Sequence, residues 1–256
     1  MLIRRPLYGN IFFYADEGRL RAIVTSAIED ATPAKVSGAI HALIVPHGTH
    51  LECGPIAGYA YKLLLTTQQS WDQVTLLAPQ ISTTHSSLAV DEADAYLTPL
   101  DVVQTDKALL ATLRAAGVVI EDAPDNEPII ESHLPFVQTT LGDVPMLPLR
   151  VPANCDDGLV GQAKSLGLII AAGNLPEDNE KAVANAIINM DVAALRGQNS
   201  TSKRVLGGVF SRAKPIAPTA DLSTIALALQ LAQARGATQV KQLFVAGQFG
   251  AFVVFG

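Results

Sequence analysis

The stretch PHGTHLECGP, residues 46–55, follows directly on the apolar run Ala42-Leu43-Ile44-Val45 and places His47, His50, Glu52 and Cys53 within seven positions. Imidazole is the commonest protein metal ligand and titrates near neutrality, so histidines at the end of an apolar strand can hold a metal or exchange a proton with a bound molecule. A thiol just ahead of a helix can be drawn towards the reactive thiolate by the helix dipole; the competing reading of Cys53 is a small side chain packed under the loop. His85 stands seven residues past Ala78, at the end of a second apolar run. If the two strands are neighbours, His47, His50 and His85 form a candidate set for a divalent transition metal such as iron, copper or zinc. The segment IIESHLPF adds Glu131 and His133, two positions apart. On a strand they share a face, and on a helix they diverge. His47 and His133 are the candidate acid–base groups. Cys155 sits beside Asp156 and Asp157, which oppose a thiolate, and is given no role.

The elements that must position these groups are legible as apolar runs of strand length alternating with helical patterns, the signature of a mostly parallel sheet flanked by helices. Strands are expected at residues 39–45, 74–78, 144–149, 166–172, 242–246 and 250–255. GQFG between the last two reads as a hairpin turn. Helices are expected at 18–30 and 106–116, and from Gly54-Pro55 onward. DLSTIALALQLAQARG reads as an amphipathic helix with Leu222, Ile225, Ala226 and Leu229 on one face, ending at Gly236. Residues 175–197 read as one helix, with Pro176 near its start, Glu177 and Asp178 in its first turn and Arg196-Gly197 at its end. In such a sheet, ligands bind beyond the carboxyl ends of the strands, which is where His47 should point.

The chain has 256 residues, 49% hydrophobic and 16% charged, enough for one α/β domain over residues 1–256. Two cysteines make no disulfide framework, and the N-terminus lacks a signal-peptide pattern, so a cytoplasmic protein is expected. Every apolar run is interrupted before the ~18 residues of a membrane span. A net charge of -6 without a Lys/Arg-rich block argues against a nucleic-acid partner. Residues 202–214, SKRVLGGVFSRAK, form the most basic stretch and read first as a solvated loop or helix end. Neither phosphate-cradling glycine motif nor the G-x-S-x-G elbow is present. The terminal AFVVFG would be a dimer-pairing surface if it were an edge strand; a central position is the alternative.

RRPLYGNIFFYADEGRLRAIV followed by ALIVPHGTHLECGPIAGYAYKLL resembles the opening of the Memo family, which includes protein B of the AmmeMemoRadiSam system. VTLLAPQIS is similar to that family's strand ending in Gly-Pro-Ser-His, DAYLTPLDVVQTDKALLATL to its Thr-Pro-Leu segment, EPIIESHLPFVQ to its Leu-Pro-Phe stretch, and KPIAPTADLSTIALAL to the segment after its Cys-Gly pair. The resemblance implies a fold similar to class III extradiol ring-opening dioxygenases, with a crevice metal held by two histidines and a cysteine. Carried over, the first ligand is His47, the second falls on Ile81 and the third on or near Ser211. A further family histidine falls on Pro128, between the retained Glu127 and Glu131, and the Ser-Ser-Asp-x-x-His motif is eroded in AAGNLPED. Isoleucine cannot ligate, and a serine hydroxyl is a poor ligand for a soft metal. The resemblance therefore implies a metal site that is eroded, or rebuilt by His50 and His85 around His47.

Two functions are expected from these residues. One is a Memo-like protein whose crevice binds a small anionic ligand or a peptide, with His47, His50, Cys53, Glu131, Ser211 and Arg212 as candidate contacts. The other is a metal-dependent oxidoreductase of the extradiol type on a rebuilt histidine site. A radical-SAM partner follows only from the resemblance.

Overall fold

Four apolar segments, β2 (Ile40–Val45), β9 (Leu168–Ala172), β3 (Val74–Pro79) and β8 (Met146–Val151), lie side by side and parallel in that order. All their residues but one are buried, which is why these runs show no alternation of polar and apolar positions: both faces are covered. The computed structural model describes residues 1–81, 86–197 and 219–256. Within them the sheet extends on one side through the antiparallel hairpin β10 (Gln239–Ala246) and β11 (Phe249–Phe255). On the other side it extends through β4 (Leu88–Val90), antiparallel to β8, and β7 (Ile120–Asp122). The strand order is β10-β11-β2-β9-β3-β8-β4-β7. A small second sheet joins β1 (Ile3–Arg4), β5 (Ala95–Leu97) and β6 (Val102–Gln104).

Successive strand residues serve opposite cores. Leu43, Val45, Leu76, Ala78, Leu168 and Ile170 pack with α1 (Glu17–Glu29), α2 (Gly54–Thr66) and α4 (Pro128–Leu141). Ala42, Ile44, Leu77, Leu149, Ile169 and Ala171 pack with α3 (Lys107–Ala115), α5 (Glu180–Ile188) and α7 (Ala220–Ala234). Side-chain caps set the helix starts: Asp16, Asp106 and Thr219 accept from the backbone N–H of Arg19, Leu109 and Leu222. Gly58 allows α1 and α2 to touch, since a Cβ there would stand 2.0 Å from the Ala27 carbonyl oxygen.

The α/β architecture and the hairpin are as expected, with Gly247 at φ 55° in the turn. Two expectations change. The helix read over 175–197 is broken: Pro176 precedes a turn, α5 starts at Glu180, Met190 takes a left-handed φ of 54°, and Asp191 caps a new short helix, α6 (Val192–Leu195). Helix α7 is buried on nearly every side, Leu227 and Ala228 included, because α6 and the 3-10 turn Val160–Ser165 cover the side away from the sheet. Of the two positions left open for AFVVFG, the structure takes the central one: residues 251–255 lie in β11, between β10 and β2, and among the described residues β10 is the outer strand.

Candidate functional site

The carboxyl ends of β2 and β9 are adjacent, and the second residue past each strand is tied to the other's. His47 N donates to Asn174 Oδ1 at 3.1 Å, and Asn174 Nδ2 donates back to the His47 carbonyl at 2.9 Å. Asp221, in the first turn of α7 where the helix dipole favours a carboxylate, completes the arrangement. Its Oδ1 accepts from Asn174 N at 2.8 Å and from His47 Nε2 at 2.7 Å. The approach of α7 depends on Gly173, where a Cβ would lie 2.8 Å from Ile225 Cγ1. The His47 side chain keeps 15% of its exposure and Asp221 29%, so the pair is half-sheltered but reachable. With Nε2 committed to the carboxylate, Nδ1 is the atom left to meet a bound molecule. Asn174 and Asp221 were missed as site residues. Their signals were the AAGNLPED segment and the acid in the first turn of the last helix.

His50 turns the other way. Its Nε2 donates to the Ser132 carbonyl at 2.7 Å, and its ring lies against Phe13 and Phe136. Burial holds it neutral by lowering its pKa, against the pull of the Ser132 carbonyl. His133 is fully enclosed on α4, with Nδ1 3.1 Å from Tyr61 Oη. Burial, with His47 and His50 adding to it, brings its pKa down to about 3, so a proton on His133 is disfavoured at neutral pH. His133 is thus near enough to both other imidazoles to feel them. Yet among the described residues no three of His, Cys, Asp or Glu gather closely enough to hold a metal ion.

Glu131 and His133 diverge, as the helical alternative required. Glu131 reaches the N-terminal segment, where its oxygens accept from Arg4 Nη1 at 2.8 Å and from the backbone N–H of Leu7 and Tyr8. Burial raises its pKa, and those N–H groups and Arg4 pull it back. Its acceptor capacity is directed to its own chain.

Cys53 is buried, its Sγ donating to the Thr49 carbonyl, and burial pushes the thiol up to about 12. Of the two readings of Cys53, these observations favour the packed thiol, since dehydration disfavours the thiolate. Burial, with Asp156 adding to it, also pushes Cys155 up to about 12. Ile81, on which the second family ligand falls, is exposed, and its N–H donates to Glu127 Oε1 at 2.9 Å. Pro128 opens α4. His85, Ser211 and Arg212 lie outside the described residues.

A family model described as Memo-like protein matches residues 4–175. Among curated proteins, a MEMO1 family protein of Ignicoccus hospitalis is 26% identical over 155 residues, covering 56% of this chain and 54% of the relative. One of Methanopyrus kandleri is 29% identical over 150 residues, covering 55% and 53%. The protein memo-1 homolog of Caenorhabditis elegans is 26% identical over 159 residues, covering 59% and 44%. The chain thus spans about half the length of the curated relatives it matches. Among solved structures, an uncharacterized protein, JW3007, from Escherichia coli K12 superposes with a TM-score of 0.49 at 14% identity, over 85% of this chain and 100% of that one.

Proposed function

Because the chain belongs to the Memo-like family, we propose that it is a Memo-like ligand-binding protein, whose crevice at the carboxyl ends of β2 and β9 takes a small anionic molecule or a peptide. In this reading it does not run metal-dependent ring opening. The observation that carries the reading is the 2.7 Å contact between His47 Nε2 and Asp221 Oδ1. It occupies one imidazole nitrogen with a carboxylate of the chain and leaves the other for a guest. Protonated, the ring donates through Nδ1 to a carboxylate or a peptide carbonyl; neutral, Nδ1 accepts from a peptide N–H. The donor set supports the same reading. Of the two described positions implied by the resemblance, Ile81 offers only hydrocarbon, which does not fit a metal centre of two histidines and a cysteine.

Two measurements test this. Protein produced without a histidine tag in medium supplemented with iron, copper and zinc is expected to carry well below one metal equivalent, unchanged by His47→Ala and His85→Ala. A thermal-shift screen of small carboxylates and short peptides is expected to give hits that His47→Ala removes. Near-stoichiometric metal that is lost in both variants would overturn the reading in favour of a rebuilt oxidoreductase site.

A further inference from the structure

Arg150, at the carboxyl end of β8, is only 3% exposed. Among the described residues its guanidinium makes one hydrogen bond, from Nη2 to the Ala123 carbonyl at 2.6 Å, while Nε is buried and unpartnered. No carboxylate among the described residues stands within ion-pair distance of it. Arginine is almost never buried unpaired, because removing its charge from water is costly. Arg4, the other cation of this region, shows the usual solution: it is ion-paired with Glu131 at 2.8 Å.

Gln80 follows β3 and is also buried, at 4% exposure, with neither side-chain atom partnered. Its backbone N–H donates to the Val151 carbonyl, and Arg150 pairs in register with Ala78. Side chains alternate along a strand, so Gln80 shares the face of Ala78 and Arg150 and lies diagonally across from Arg150, within reach of a long side chain. Buried polar groups are nearly always satisfied. Here a cation and an amide donor are both left open on one face of the strand ends.

We infer that Arg150 and Gln80 form a binding subsite for the carboxylate group of a small ligand, at the carboxyl ends of β3 and β8. The subsite lies further along the sheet than His47, because β9 separates β2 from β3. It does not depend on the His47–Asp221 reading. Arg150 supplies the charge, and the Gln80 amide donates a hydrogen bond to the bound oxyanion. The surroundings give the subsite a pH signature. Arg4 from β1, Asp91 beyond β4, Asp125 and Glu127 just before α4 share this electrostatic neighbourhood, each acting on Asp125 or, with Arg150, on Tyr96 of β5, while Glu131 is taken up by Arg4. Burial lifts Asp125 to about 6, against the opposing pull of Arg4, the Glu127 N–H and Arg150. Below that pH its negative charge is removed from beside Arg150, so an anion binds more tightly.

The test is calorimetric titration of the whole chain with sodium formate and, separately, inorganic phosphate, at pH 5.5 and 7.5 and constant ionic strength. Saturable formate binding is expected, several-fold tighter at pH 5.5, abolished by Arg150→Met and weakened about tenfold by Gln80→Leu, which removes one hydrogen-bonding group. Asp125→Asn should remove the pH dependence, and His47→Ala should leave binding intact. Should Arg150→Met fail to fold, Gln80→Leu decides alone. Absence of saturable binding by folded wild-type protein, binding indifferent to Gln80→Leu, or binding of phosphate without formate would each overturn the assignment.

Discussion

Two buried ionisable residues give the stability of this protein opposing dependences on pH. Asp125, raised from 3.8 to about 6 by burial, holds its proton more tightly folded than unfolded. Its contribution is complete below pH 3.8 and is lost as pH rises through 6. His133, lowered from 6.5 to about 3 by burial, does the reverse: its contribution is present above pH 6.5 and is lost as pH falls towards 3. Asp125→Asn is therefore expected to gain stability at pH 8 relative to pH 4, by on the order of 3 kcal/mol, since one pH unit of displacement is worth ~1.4 kcal/mol. His133→Gln, which keeps a partner for Tyr61, should flatten the acid limb between pH 6.5 and 3. Urea denaturation across this pH range reads both, and an unchanged profile in either variant contradicts its assignment.

The site elements are held together by close backbone approaches that few residues allow. Loop 46–53 is pinned on three sides: His47 to Asn174, the His50 N–H to the Phe12 carbonyl, and the His50 ring to the Ser132 carbonyl. The first turn of α7 reaches this loop only because Gly173 leaves room for Ile225. Gly173→Ala is expected to cost about 1–3 kcal/mol by overpacking. It should also push Asp221 away from His47, shifting the His47 imidazole resonances. A variant of native stability with an unmoved His47 signal would show that α7 is not held this tightly. Broken helices follow the same local logic. The helical pattern of residues 175–197 is real, but Asn189 and Met190 end one helix and Asp191 starts another, because a capping aspartate competes with helix continuation.

Across the whole molecule, the last strand in sequence is an interior strand of the sheet. β11 pairs with β2 from Phe252 opposite Ile44 to Val254 opposite Ala42 and, past a one-residue shift, Phe255 opposite Ile40, and Ala39 and Gly256 exchange hydrogen bonds. Both cores include β11 side chains, Phe252 and Val254 in one, Ala251 and Val253 in the other. Removal of residues 239–256 is therefore expected to abolish cooperative unfolding, since β2 would lose a neighbour and both cores a wall. Differential scanning calorimetry checks this, and a sharp transition in the shortened chain would refute it. No helix among the described residues is long and apolar enough to cross a membrane.

The sequence by itself determined the layered α/β class, the four buried parallel strands, the terminal hairpin and the helices with clear caps, because burial on both sheet faces and helix-end chemistry leave local marks. It also determined that His47 stands at a strand end and that Ile81 cannot ligate, since those depend on residue type and on the run before them. Strands of three residues, such as β4 to β7, left no mark because they are too short for a period to show. Only the tertiary structure decided that Asp221, 174 residues on, meets His47, that His50 and His133 face inward, that Glu131 serves Arg4, and that Arg150 is buried with no carboxylate of the described residues in ion-pair contact. Each of those depends on which elements the sheet order makes neighbours, and strand order is fixed by the packing of the whole chain rather than by any local stretch of it.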